Sequence, residues 1–134
     1  MAKSATARLQ AKKDKKIVVL DKDFAGIKAG QTMLVGTPQM MDAYIRKIPS
    51  GQTRTMQRLR NELARRHKCD ATCPVSTAIF VRIAAEAALE ALDSGSEVQD
   101  ITPFWRVVAP EDKIAGKLNI DREWIQHQRD REAS

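Results

Sequence analysis

Cysteine, aromatic rings and long apolar runs are all scarce in this 134-residue chain. Two cysteines, Cys69 and Cys73, cannot build a disulfide framework, so a reducing compartment is expected: the cytoplasm, or the nucleoid in a bacterium. Their spacing, with His67 nearby, suits zinc, but a structural site wants four ligands and a second pair is missing; neither metal nor cofactor is expected. The longest run of Val, Ile or Leu is Ile17 to Leu20, far short of the roughly 20 residues a membrane span needs. Residues 1–16, rich in Lys, Ala, Ser and Thr, do not resemble a secretory leader. No glycine-rich phosphate loop, paired-carboxylate site or Ser/His/Asp arrangement is visible, which removes the commonest enzyme signatures.

What is present is charge, unevenly placed. Hydrophobic residues make up 43% and charged residues 30%, the balance of one folded domain. Of the formal net charge of +6, residues 1–16 carry +5 through Lys3, Arg8, Lys12, Lys13, Lys15 and Lys16 against Asp14. Residues 46–68 carry +7, and everything from 69 onward sums to −5. A basic tail, one dense basic block and an acidic remainder point to a polyanionic partner, first of all nucleic acid.

Periodicity orders the rest. Residues 1–15 lack an apolar repeat and are expected to be a flexible basic arm before a single domain over 16–134. Ile17 to Leu20 and Thr32 to Val35 have strand character. Pro38 opens a helix whose Met41, Tyr44, Ile45 and Ile48 form one stripe. Thr55 caps a second helix through His67, with Met56, Leu59 and Leu63 inward; Pro74 and Ser76 compete to start a third, reaching about Leu92. Residues 104–108 read as a strand and 113–118 as its hairpin partner, before a last helix over 121–132. The fold class expected is therefore α+β, mainly helical: a winged helix-turn-helix with a C-terminal β-hairpin wing.

Two segments carry a family resemblance. Ile48-Pro49-Ser50-Gly51-Gln52-Thr53-Arg54-Thr55-Met56 resembles the "Ile-Pro-x-Gly-x-x-x-Thr-Tyr" entry to the helix-turn-helix of DNA alkyltransferases. Pro103-Phe104-Trp105-Arg106-Val107-Val108 resembles their "Pro-Cys-His-Arg-Val" active-site strand. The likeness spans about residues 38–118 and implies a DNA-binding fold. Its departures matter: Phe104 and Trp105 stand where the family has its acceptor cysteine and the histidine that deprotonates it, Met56 replaces a tyrosine, and Thr77 replaces an arginine that fills the space of an extruded nucleotide. A phenyl ring cannot become a thiolate. The resemblance thus implies the non-enzymatic, alkyltransferase-like branch, acting in damage recognition with a repair-protein partner.

The expected partner is double-stranded DNA, possibly alkylated, and no membrane. Expected DNA contacts are Arg54, Thr55, Arg58, Arg65, Ser76, Thr77 and Arg82, with Lys113 and Lys117 on the wing. Phe104, Trp105 and Arg106 are the expected base pocket, an aromatic ring offering a stacking surface and Arg106 either pinning a phosphate or pairing with Asp100 or Asp112. Two alternatives stand beside this: a repair enzyme using Cys73, and an adaptor whose Glu86/Glu90 edge and acidic loop 93–100 hold a basic protein.

Overall fold

A computed structural model describes residues 4–134; positions 1–3 of the expected arm, Lys3 among them, lie outside the described residues. The order is α1 (Ala5–Gln10), β1 (Lys16–Val19), β2 (Thr32–Val35), α2 (Pro38–Arg46), α3 (Met56–Arg66), β3 (Ala71–Thr72), α4 (Pro74–Asp93), α5 (Lys113–Lys117) and α6 (Arg122–Ala133). Two 3-10 turns, Val98–Asp100 and Phe104–Arg106, join α4 to α5. The architecture is α+β, mainly helical, with one small sheet in the order β1-β2-β3. β1 and β2 are antiparallel, and β3 joins β2 in parallel. Among the described residues no helix is long and apolar enough to cross a membrane.

The helices start where the sequence has caps. The Thr37 hydroxyl accepts from Met40 N–H ahead of Pro38, and the Thr55 hydroxyl accepts from Arg58 N–H. Pro74, not Ser76, opens α4, with the Cys73 sulfur accepting from Ser76 N–H at 3.5 Å. α4 is the axis of the core: Phe80, Val81, Ile83, Ala84, Ala85, Ala87 and Ala88 are all buried. Its alanines let neighbouring elements approach closely, and Met41, Tyr44 and Ile45 of α2 close over one side.

Two expectations fail here. Residues 5–10 form a helix docked on α4, although they were expected within a flexible arm. The cause is distant in sequence: the Glu90 carboxylate accepts from Ala5 N–H, Thr6 N–H and the Thr6 hydroxyl, each within 2.8 Å, at the positive end of α1. Nor is there a C-terminal β-hairpin wing. Phe104, Trp105, Val107 and Val108 are all buried, so side chains of both parities turn inward, which a half-exposed strand does not allow. A 3-10 turn over 104–106 satisfies them instead, and Ile114 and Leu118, four apart, bury along the short α5. The hairpin of this fold lies at the other end, in β1 and β2.

Glu90 is held below the usual carboxylate range by the Thr6 hydroxyl, then by the Thr6 and Ala5 amides. A depressed carboxylate stabilises above its unfolded pKa, and that contribution is lost as pH falls through the folded value. Glu90→Ala should therefore release α1 at neutral pH, reproducing the changes at the Ala5 and Thr6 amides that the unaltered protein shows only in acid. Amide shifts by NMR measure this; unchanged shifts in the variant would remove Glu90 as the anchor.

Candidate nucleic-acid interface

The two segments that carry the family resemblance meet in space. Arg54 N–H donates to Arg106 C=O at 2.7 Å, and Arg106 Nη1 donates to Ile48 C=O at 2.7 Å. Arg106 also forms a two-pronged pair with Glu132: Nε to Oε1 at 2.9 Å and Nη2 to Oε2 at 2.7 Å. Both side chains are largely buried, at 15% and 16% exposure. Burial pushes the Glu132 carboxyl up, but the Arg106 pair outweighs it and holds the group below its usual range. Arg106 is thus a clamp between α6 and the entry to α3; its partner is neither phosphate nor Asp100 or Asp112.

The expected base pocket is corrected in the same place. Phe104 is 0% exposed, stacked at 5.8 Å on Trp124 of α6 and edge-on at 5.5 Å to Trp105. Three rings of a chain with 4% aromatics make one packing unit, so no base can reach Phe104. Trp105, 3% exposed, lines a cavity of about 590 Å³ with Arg106 and residues of α2 and α6. Its indole N–H lies near Glu132 without hydrogen-bond geometry to any described atom, and its carbonyl accepts from Arg129 Nε at 2.7 Å.

The basic block does form an outer face. Leu59, Leu63 and Ala64 turn α3 inward, leaving Arg58, Asn61 and Arg65 on the exposed side at helical spacing. Arg58 pairs with Glu62 at 3.4 Å; Arg65 has no ion pair among the described residues. Glu62 is held from behind by the Tyr44 hydroxyl, which donates to it and draws its carboxyl below the usual range. Arg54 folds back on Thr53 C=O and the Gln52 side chain, while Thr55 is spent as a cap.

At the start of α4 the expected contacts divide. Thr77 is 0% exposed and its hydroxyl donates to Cys73 C=O at 2.6 Å, which excludes it from any interface. The Ser76 hydroxyl is buried without a partner, and Val75 and Ile79, both 53% exposed, are the side chains that the first turns of this helix present outward. Arg82 faces Glu86 at 3.4 Å. Lys113 and Lys117 are exposed, but on α5 rather than on a wing. Sequence reasoning passed over Gln57, Arg60 and Asn61, which border a cleft of about 270 Å³ between α3, Pro74 and the β1–β2 connection at Ala25 to Ile27. Arg60 donates to Gln57 at 2.6 Å and Gln57 to Asn61 at 2.9 Å, a polar chain whose signal was its spacing of three and four along α3.

The alternatives are also placed. Cys73 is buried with Ile27 and Met33, and burial pushes the Cys69 thiol up. The acidic edge already has a basic partner: Glu86 pairs with Arg8 of α1 at 3.5 Å beside the Glu90 cap. Among the described residues no group of three or more His, Cys, Asp or Glu could hold a metal ion. The chain matches no protein-family model, no curated protein and no solved structure.

Two measurements check this geometry. Burial first, and then the hydrogen bond and charge of Glu62, push the Tyr44 phenol up to about 12. Tyr44 is the single tyrosine, so phenolate absorbance should titrate near pH 12 in the folded protein and about two units lower in urea. Between those values the unfolded chain loses the proton first, so stability should fall as pH rises. Equal midpoints in both states would show Tyr44 to be unconstrained. Separately, Arg106→Ala strands the Glu132 charge and should cost about 3 kcal/mol in urea unfolding; a loss under 1 kcal/mol would remove the clamp.

Proposed function

We propose that the protein binds duplex DNA without alkyl-transfer chemistry, as an alkyltransferase-like protein, through the outer face of α3 and the first turns of α4. The observation that carries this reading is the exposed Arg58, Asn61 and Arg65 stripe beside the polar Gln57–Arg60–Asn61 chain. Exposed guanidinium groups with few acidic neighbours attract phosphodiester whatever the base sequence, and each neutralised phosphate releases counterions. α3, the connector 67–73 and α4 supply the helix-turn-helix element order, and the Arg54 and Arg106 contacts join the two segments of resemblance.

The side chains that the first turns of α4 offer outward are Val75 and Ile79, which make no hydrogen bonds to base edges; apolar groups there favour thymine methyls at most. Binding is accordingly directed to the backbone. On this reading the β1–β2 hairpin serves as the wing, its Ala25 to Ile27 segment bordering the same cleft as Arg60. Damage recognition and a repair partner remain part of the proposal through the resemblance, with Phe104 serving as core.

A salt series tests it. Affinity for a short duplex should fall steeply with salt, and Arg58→Ala with Arg65→Ala should weaken binding evenly across sequences and reduce the log–log slope by about two. Binding undetectable at low salt, or insensitive to salt, would defeat the proposal.

A further inference from the structure

β1 is left open on its outer side. It is the outermost strand of the sheet, and residues 10–19 and 21–26 are all exposed. Ile17, Val18 and Val19 are 52%, 39% and 66% exposed, an unusual place for three β-branched side chains in a row. Leu20 N–H donates to Gln31 C=O at 3.0 Å, and Leu20 C=O accepts from Gly30 N–H at 2.7 Å. Backbone groups alternate along a strand, so Lys16 and Val18 also face β2, while those of Ile17 and Val19 point away from the sheet. An apolar edge with free donors and acceptors is a template for another strand.

We propose that this strand is β1 of a second copy, paired antiparallel about a twofold axis at Val18 and joining two three-stranded sheets into one. Outward-facing residues must lie opposite outward-facing residues, so the axis can fall on Ile17, Val18 or Val19 but not between them. Centred on Val18, Ile17 opposes Val19, Val18 opposes itself and the Lys16 stem covers Leu20; just past the strand, where the chain bends at Asp21 and Lys22, side-chain reach brings Lys15 to Asp21 and Asp14 to Lys22. Every apolar residue finds an apolar surface, and Asp14, Lys15, Asp21 and Lys22 each find an opposite charge, while Lys16 carries its ammonium past Leu20 to solvent. Centred on Ile17, Asp14 falls on Leu20 and Lys15 on Val19; centred on Val19, Ile17 falls on Asp21 and Lys16 on Lys22.

Asp14, Lys15, Asp21 and Lys22 make no ion pair among the described residues, so their charges are available. Lys13 sits 4.5 Å over the Phe80 ring and Asp23 pairs with Lys28, so neither is needed. Lysines beside an edge strand ordinarily guard against pairing. Here an aspartate meets Lys15 and Lys22 in one register, so these flanking charges select that register and disfavour its neighbours.

Sedimentation of the full chain over a concentration series tests this, and a dimer is expected. Lys15→Asp or Asp21→Lys alone sets like charges together on both sides of the axis and should weaken the dimer by roughly tenfold. The double variant should recover it, and so should an equal mixture of the two single variants, because their charges complement each other. The Val18 pair is of the non-hydrogen-bonded kind, with Cα atoms about 4.5 Å apart, so Val18→Cys in a Cys69→Ser background should cross-link on oxidation, whereas Ile17→Cys and Val19→Cys should not. A monomer at high micromolar concentration, a dimer indifferent to both charge reversals, or cross-linking at 17 or 19 instead of 18 would overturn the proposal.

Discussion

Arg106 ties α6, the end of α2 and the entry to α3 into one unit. It grips Glu132 near the end of α6 with two nitrogens and the Ile48 carbonyl after α2 with the third, while its own carbonyl receives Arg54 N–H at the entry to α3. A guanidinium suits this position because its planar fork engages a carboxylate and a carbonyl at once through all three nitrogens. The 3-10 turn that carries Arg106 also carries Phe104 and Trp105, so the same three residues fix the polar clamp and the aromatic cluster against Trp124. The position of α3, and so of its outer arginines, depends on this turn.

Charge asymmetry along the chain has two destinations. Part of it is met internally: the acidic edge of α4 caps α1 through Glu90 and pairs with Arg8 through Glu86. Part is left facing water on α3, where Glu62 is the one acidic side chain and is occupied by Tyr44 and Arg58. The tail and the 46–68 block looked like one basic signal in the sequence, yet α1 of the tail is bound to α4 while the α3 face stays open. Within the tail Arg8 is thus spent internally, whereas the exposed Lys12 and Lys16 stand with the α3 face as charge left open to a polyanion.

Local signals made much of the helical frame legible. The Met41, Tyr44, Ile45 and Ile48 stripe and the Thr55 cap act over three or four residues, and α2 and α3 form accordingly. α1 was hidden because its anchor, Glu90, lies far along the chain, and six residues with a Ser4 cap and good helix formers are too short to hold a helix without it. The run Phe104 to Val108 has strand composition, but strand propensity measures fit to a half-buried pleated surface, and complete burial overrides it. The Glu132 partner of Arg106 was equally non-local, with Asp100 and Asp112 nearer in sequence. At the candidate site, the exposure of Arg58 and Arg65 followed from helix periodicity. The burial of Thr77 did not, because small polar residues at a helix start suit both an interface and a backbone-bonded core position.

Position 104 bears most on the absence of transfer chemistry from the proposed function. Chemistry closes it first, since a phenyl ring has no lone pair with which to accept an alkyl group. Packing closes it again: the ring is 0% exposed among Trp105, Trp124 and the apolar core, so a sulfur placed there would occupy part of a cavity rather than face a substrate. A nucleophile must lie within bonding reach of the carbon it attacks, and a side chain with no exposed surface is out of that reach. The burial that keeps a thiolate's place from solvent also gives α3 a firm support, because Phe104 and Trp105 pack on Trp124 in the turn whose Arg106 carbonyl holds the entry to α3.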